Sequence, residues 1–182
     1  MIHDAKINKN NSSENKVWYA VYTRSRTEKK VLAELEAKNI ECFLPLQKQL
    51  RQWKDRKKWV EVPLIPGYCF VRITRKDYDR VLQIKNVVSY IIFERKAAVI
   101  PDNQIAYLRL VLSQSDFEVE VSFENFTPGE QVEIIQTPLM GLRGELADVH
   151  GKSRFIVRLN SINTVFMLDV PAEYLTKLPH EH

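Results

Sequence analysis

Apolar and polar positions alternate with period two over Val17–Thr23 (V-W-Y-A-V-Y-T), which predicts a half-buried strand. Trp18, Ala20 and Tyr22 then share one face, and Tyr19 and Val21 the other. The period next becomes helical. Val31, Leu32 and Leu35 form a stripe, and Ser25 followed by Glu28 has capping-box spacing, so a helix is expected from near Arg26 to Asn39. Ile40–Gln47 reads as a second strand, with Cys42, Leu44 and Leu46 on one face and Phe43 on the other; Pro45 marks an edge or a bulge. Lys54–Lys57 reads as a hairpin tip flanked by Trp53 and Trp59.

Two prolines and a glycine (V-P-L-I-P-G) then lead into Tyr68–Ile73, whose aromatic and β-branched residues suit a pleated strand that cannot begin pairing before Gly67. Tyr68 and Phe70 share a face, and Cys69 and Val71 the opposite one. Thr74 and Asp77 repeat the capping spacing ahead of a short helix, Arg75–Ile84, that buries Val81 and Leu82. Val87–Phe93 is strand-like. A short strand and a closing helix follow, with Asp102 as cap and Ile105, Leu108 and Leu112 inward. Four or so antiparallel strands with helices alongside make an α+β sandwich over residues 17–112.

After a stretch without glycine or proline the grammar changes again. Gly129, Gly141, Gly144 and Gly151 divide short β-branched runs (V-E-I-I, R-F-I-V-R-L, V-F-M-L-D-V), the pattern of a small closed barrel over residues 126–178.

Charge sharpens this division. Val17–Ser115 carries 19 Lys+Arg against 10 Asp+Glu, whereas Asp116–His182 carries 5 against 11. A basic unit followed by an acidic one suggests different partners, a polyanion being plausible for the first only. Residues 113–125 read as an acidic linker whose random-coil reach, roughly 20 Å, would let the two units act semi-independently. Residues 1–16 read as a polar, disordered tail without a secretory signal. No segment is apolar for long enough to span a membrane, and Cys42 and Cys69 read as buried reduced thiols in a cytoplasmic, monomeric protein.

The candidate chemistry is that of binding. The four histidines are scattered, and no catalytic, metal-ligand or phosphate-loop pattern is present, so an enzyme is not expected and no cofactor is implied. Arg24, Arg26, Lys29 and Lys30 gather at a strand–helix corner, where cations oppose the helix dipole unless a phosphate arrives; a solvated charged face is the alternative. Arg51, Lys54, Arg56, Lys57 and Lys58 crowd the hairpin. With Trp53 and Trp59 they suit either phosphates and unpaired bases or tryptophans packed across the strands. Tyr68 and Phe70 are plain core or an aromatic interface.

The V-W-Y-A-V-Y strand and the P-G-Y-C-F-V strand together resemble the N-terminal domain of NusG-type transcription elongation factors. T-P-G-E-Q-V-E-I-I-Q-T-P-L-M-G-L-R-G resembles the KOW motif that opens their SH3-like barrel, and the likeness runs from about Val17 to Leu178. It implies a binding protein whose N-terminal domain docks on the clamp helices of RNA polymerase and favours processive elongation. Tyr22, Tyr68 and Phe70 would line the docking depression, and the Arg24–Lys30 corner, with the hairpin cations, would meet the non-template DNA strand. Met140 and Ile162 would carry barrel contacts to Rho or a small-subunit ribosomal protein. W-Y-A-V-Y and I-E-C-F-L-P look closer to the specialised branch of RfaH and the UpxY-type antiterminators of surface-polysaccharide operons. A general NusG, or a KOW-containing RNA- or ribosome-binding module, is the alternative.

Overall fold

The computed structural model describes residues 15–114, 118–123 and 129–179. The expected N-terminal tail falls almost wholly outside them, as do parts of the expected linker. The first unit runs β1 (Val17–Thr23), α1 (Glu28–Ala37), β2 (Glu41–Phe43), β3 (Leu46–Gln52), β4 (Lys57–Pro63), β5 (Tyr68–Ile73), α2 (Tyr78–Leu82), β6 (Val87–Tyr90), β7 (Ile92–Phe93), β8 (Lys96–Ala97), β9 (Val99–Ile100) and α3 (Asp102–Ser113). The second runs β10 (Val119–Ser122), β11 (Glu130–Ile134), β12 (Arg143–Val149), β13 (Lys152–Leu159), β14 (Thr164–Leu168) and β15 (Leu175–Lys177).

The first sheet has the antiparallel order β2-β5-β1-β6, with β9 also pairing β1. Its two central strands are the two stretches whose alternation was clearest. The register sets Tyr22 opposite Tyr68 and Ala20 opposite Phe70, and Phe43 also lies opposite Phe70. One face therefore carries Trp18, Ala20, Tyr22, Phe43, Tyr68 and Phe70 together. The other carries Val21, Cys69 and Val71, which share a core with Val31 and Leu35 of α1 and Val81 and Ile84 around α2. Each of those aliphatic side chains is almost fully buried, contributing about 1.5–3 kcal/mol relative to exposure.

The boundaries differ from expectation in several places. Helix α1 starts at Glu28 rather than Arg26, because Arg26 adopts φ 61°, and no capping box forms at Ser25. Pro45 splits the expected second strand into β2 and β3, since it has no N–H to continue a ladder. Helix α2 is a single turn and a half behind a 3-10 turn at Arg75–Asp77, and Leu82 is exposed on it; Ile84 takes the buried place. On α3 the buried stripe is Ile105, Leu108 and Val111, with Leu112 only half-buried.

The acidic linker expected at 113–125 is the larger correction. Helix α3 runs to Ser113, and Val119–Ser122 is a strand hydrogen-bonded to β14. The second sheet therefore has six strands in the order β10-β14-β13-β12-β11-β15. Nor are the two units separate. Ile105, Leu108 and Val111 of α3 belong to one hydrophobic cluster with Val119, Val157, Phe166 and Leu168 of the second sheet. Two side-chain amides cross the same boundary: Gln47 Nε2 donates to the Val119 carbonyl and Gln104 Nε2 to the Arg158 carbonyl, each at 3.2 Å. Within the second sheet Arg158 donates twice to Glu145, at 2.8 and 3.2 Å, a bidentate pair at the half-buried rim.

Candidate functional site

The aromatic face of the first sheet is graded from closed to open. Trp18, Ala20 and Phe70 are buried in one cluster with Leu64, Ile65 and the α3 stripe. Arg109 of α3 lies over the Trp18 and Phe43 rings, 5.2 and 5.0 Å from their centroids. At the other end Tyr22 is 43 % exposed and Tyr68 half-buried, packed edge to face with centroids 6.2 Å apart. Burial, and secondarily neighbouring Tyr22, push the Tyr68 phenol above its ordinary range.

Phe70 does not line an accessible depression: it is 0 % exposed. The period-two pattern correctly put it on the face of Tyr68, but could not say how far helix α3 would extend over that face. Arg109 was missed by the sequence reading. It stands four residues after Ile105 and directly after buried Leu108, exposed at the edge of the α3 stripe, and a cation beside an apolar stripe was the available signal.

Gly67 holds this end of the sheet together. Its φ is +81°, and a Cβ added there would meet Tyr22 Cε2 at 2.9 Å, so the Tyr22 ring rests directly on its backbone. Its carbonyl accepts the Thr23 N–H at 2.8 Å, and its own N–H donates to Oε1 of buried Glu28, also at 2.8 Å. Glu28, read from spacing as half of a capping box, instead ties α1 to the Pro66–Gly67 turn. A carboxylate in the first turn of α1 also complements the helix dipole. Glu28→Ala should cost about 1–3 kcal/mol by leaving a buried amide without an acceptor. Urea unfolding of the purified variant measures it, and an unchanged midpoint would contradict the role.

Beside this lies the basic corner. Arg24, Arg26, Lys29 and Lys30 are all exposed, and the Arg24–Thr27 turn is held by Thr27 Oγ1 donating to the Arg24 carbonyl at 2.7 Å. Lys29 reaches Glu61 of β4 at 3.6 Å, which sets the corner next to the β3–β4 hairpin. That hairpin exposes Leu50, Trp53 and Trp59 along with its cations. The corner and hairpin are thus adjacent, and the Tyr22–Tyr68 pair adjoins the corner through the chain itself.

The remaining sites are separate. Met140 is 63 % exposed on the second unit, whereas Ile162 is 5 % exposed and packed into the shared cluster. Its 3-10 turn, Asn160–Ile162, folds inward against Ile92–Phe93, so only Met140 of that expected pair is accessible. Burial raises the Cys42 thiol to about 11 and the Cys69 thiol further, which favours the thiol over the nucleophilic thiolate at both. Among the described residues, no helix is long and apolar enough to cross a membrane.

A family model described as "Transcription termination factor nusG" matches residues 16–109, which is more than half of the chain and ends within α3. Among solved structures, one of the domain interaction in Thermotoga maritima NusG aligns over 90 % of this chain and 98 % of that one, at 21 % identity and a TM-score of 0.47. The MjSpt4:Spt5 complex in conformation A aligns over 90 % and 99 %, at 19 % identity and a TM-score of 0.28. Conformation B aligns over 91 % and 99 %, at 19 % and 0.30.

Proposed function

The chain belongs to the NusG family, and from that premise we propose that it binds RNA polymerase in the elongation complex and promotes processive transcription. Within the family we assign it to the specialised, antiterminating members, on the likeness of its W-Y-A-V-Y and I-E-C-F-L-P segments to theirs. It acts as a binding protein in the cytoplasm, not as an enzyme. The observation that carries the reading is the Tyr22–Tyr68 pair, accessible at the open end of an otherwise covered aromatic face and adjoining a basic corner. Aromatic rings bury much area for few rotatable bonds and so serve as anchors on the polymerase clamp helices. The exposed cations Arg24, Arg26, Lys29 and Lys30 then face nucleic acid in the transcription bubble, where the non-template strand is the free polyanion. The second unit, read as a KOW-type SH3-like barrel, offers Met140 to Rho or a ribosomal protein, and Ile162 only after the shared core parts.

A capture experiment from native lysate, probed for polymerase, Rho and ribosomal proteins, tests this. Tyr22→Ala/Tyr68→Ala should weaken polymerase capture by roughly 30-fold or more, as loss of a hot spot does, while the thermal midpoint stays within a few degrees. Full capture by the double variant removes the tyrosines from the interface. Capture of ribosomal proteins without polymerase would replace elongation with a ribosome-associated role.

A further inference from the structure

Burying a carboxylate costs free energy unless its new partners replace water, and Glu28 is buried in the first turn of α1. An exposed carboxylate at the same position would complement the helix dipole without that cost. The helix alone therefore gives no reason to turn this side chain inward. What the inward position supplies is an acceptor for the Gly67 N–H, at 2.8 Å.

Gly67 depends on such a restraint. Pro63 and Pro66 bring no N–H to the turn, and a glycine at φ +81° has no side chain of its own to hold it there. Its two backbone groups leave in different directions, the carbonyl to the Thr23 N–H of β1 and the N–H to Glu28 of α1. Strand, helix and turn thus meet at one residue. Both docking tyrosines stand beside these bonds. Tyr22 directly precedes Thr23 and rests its ring on the Gly67 backbone, and Tyr68 directly follows Gly67 and lies opposite Tyr22 in the sheet. Tyr22 is open on its outer side, so the support beneath it decides where the ring points.

We propose that Glu28 is a positioning residue for polymerase docking. By holding the Gly67 N–H it fixes the backbone that supports Tyr22 and leads into Tyr68, and so keeps the two rings edge to face before the partner arrives. Rings already in place lose less freedom on binding than rings that sample several rotamers. The inference rests on the polymerase reading above and adds to it a residue that touches no partner.

Two substitutions separate the hydrogen bond from the charge. Glu28→Gln keeps an acceptor oxygen at the same reach and gives up the charge. Glu28→Asp keeps the charge and is one methylene too short for the bond. Capture of the full chain on immobilised RNA polymerase should be retained by Glu28→Gln. Glu28→Asp and Glu28→Ala should weaken it about 3- to 10-fold, because three staggered χ1 wells cut the competent fraction to about a third for one freed ring and a tenth for both. Each variant is measured below its unfolding transition, so loss of folded protein does not enter. Added to Tyr22→Ala/Tyr68→Ala, Glu28→Asp should weaken capture no further, since a residue that acts through the rings has no effect without them. Nuclear Overhauser contacts between the Tyr22 and Tyr68 rings of the free protein should persist in Glu28→Gln and fade in Glu28→Asp.

A normal Glu28→Asp beside a defective Glu28→Gln would overturn the proposal by making charge the cause. So would a Glu28→Asp loss undiminished in the absence of the tyrosines, ring contacts indifferent to Glu28→Asp, or lost ring contacts with capture intact. The polymerase reading fails by a different result, full capture by Tyr22→Ala/Tyr68→Ala, and the ring contacts of the free protein judge the positioning role apart from it.

Discussion

Phe70→Ala is expected to destabilise the protein by about 3–5 kcal/mol, the usual cost of removing a fully buried ring whose site cannot collapse. The site cannot collapse because backbone and rings hold it on several sides. Phe70 sits opposite both Ala20 and Phe43 in the sheet, its ring stacks with Phe43 at a centroid distance of 6.2 Å, and Ile65 and the α3 stripe complete the cluster. Urea unfolding gives the loss directly. The consequence for function differs from that at Tyr22 and Tyr68: any fall in polymerase binding by Phe70→Ala should track the unfolded fraction and vanish at temperatures where the variant is folded. A folded variant that still fails to bind would return Phe70 to the interface.

The contrast between Phe70 and Tyr68 also shows how much the sequence could disclose. Alternation fixes which side chains share a face within one strand, and here it grouped Trp18, Ala20 and Tyr22 on β1 and Tyr68 with Phe70 on β5; only the register sets the two groups side by side. What it lacks is the third dimension. Whether a face is closed depends on where α3 lands, and nothing in Tyr68–Ile73 encodes that. The same limit explains Glu28. Its spacing from Ser25 has a local meaning, the capping box, but Arg26 in the left-handed region turns the chain before the helix, and the carboxylate finds the Gly67 N–H thirty-nine residues away. Local rules cannot weigh such a partner. Charge patterning fared differently at the two basic segments. The corner cations lie on the surface as their neighbours suggested, whereas on the hairpin only the register, a matter of which residues occupy the turn, separates Trp53 from Trp59. Composition likewise misplaced Val119–Ser122 as linker, since four residues that include Glu120 and follow Glu118 carry too weak a period to reveal a strand that completes a sheet edge.

Gly144→Ala should be at least as damaging as the Phe70 change to the second unit, and its reach tests how far the shared core joins the two. A Cβ at Gly144 would collide with the Ile156 carbonyl oxygen and lie 2.7 Å from the Phe155 ring. The first of these is backbone in the paired strand β13, so relief requires β12 and β13 to part, at a cost of about 3 kcal/mol or more, the upper end of overpacking. Phe155 belongs to the same cluster as Ile105, Leu108 and Val111 of α3. Disordering the second sheet would return those three side chains to water, and each carries about 1.5–3 kcal/mol of burial in the folded chain. All three tryptophans, Trp18, Trp53 and Trp59, lie in the first unit, so tryptophan emission reports on that unit alone. In Gly144→Ala the denaturant midpoint read by tryptophan emission should therefore fall together with the midpoint read by far-ultraviolet circular dichroism. A tryptophan transition left at its original midpoint, beneath an earlier circular-dichroism transition, would mean that the two units fold independently and that the linker reading of charge and composition had the energetics right.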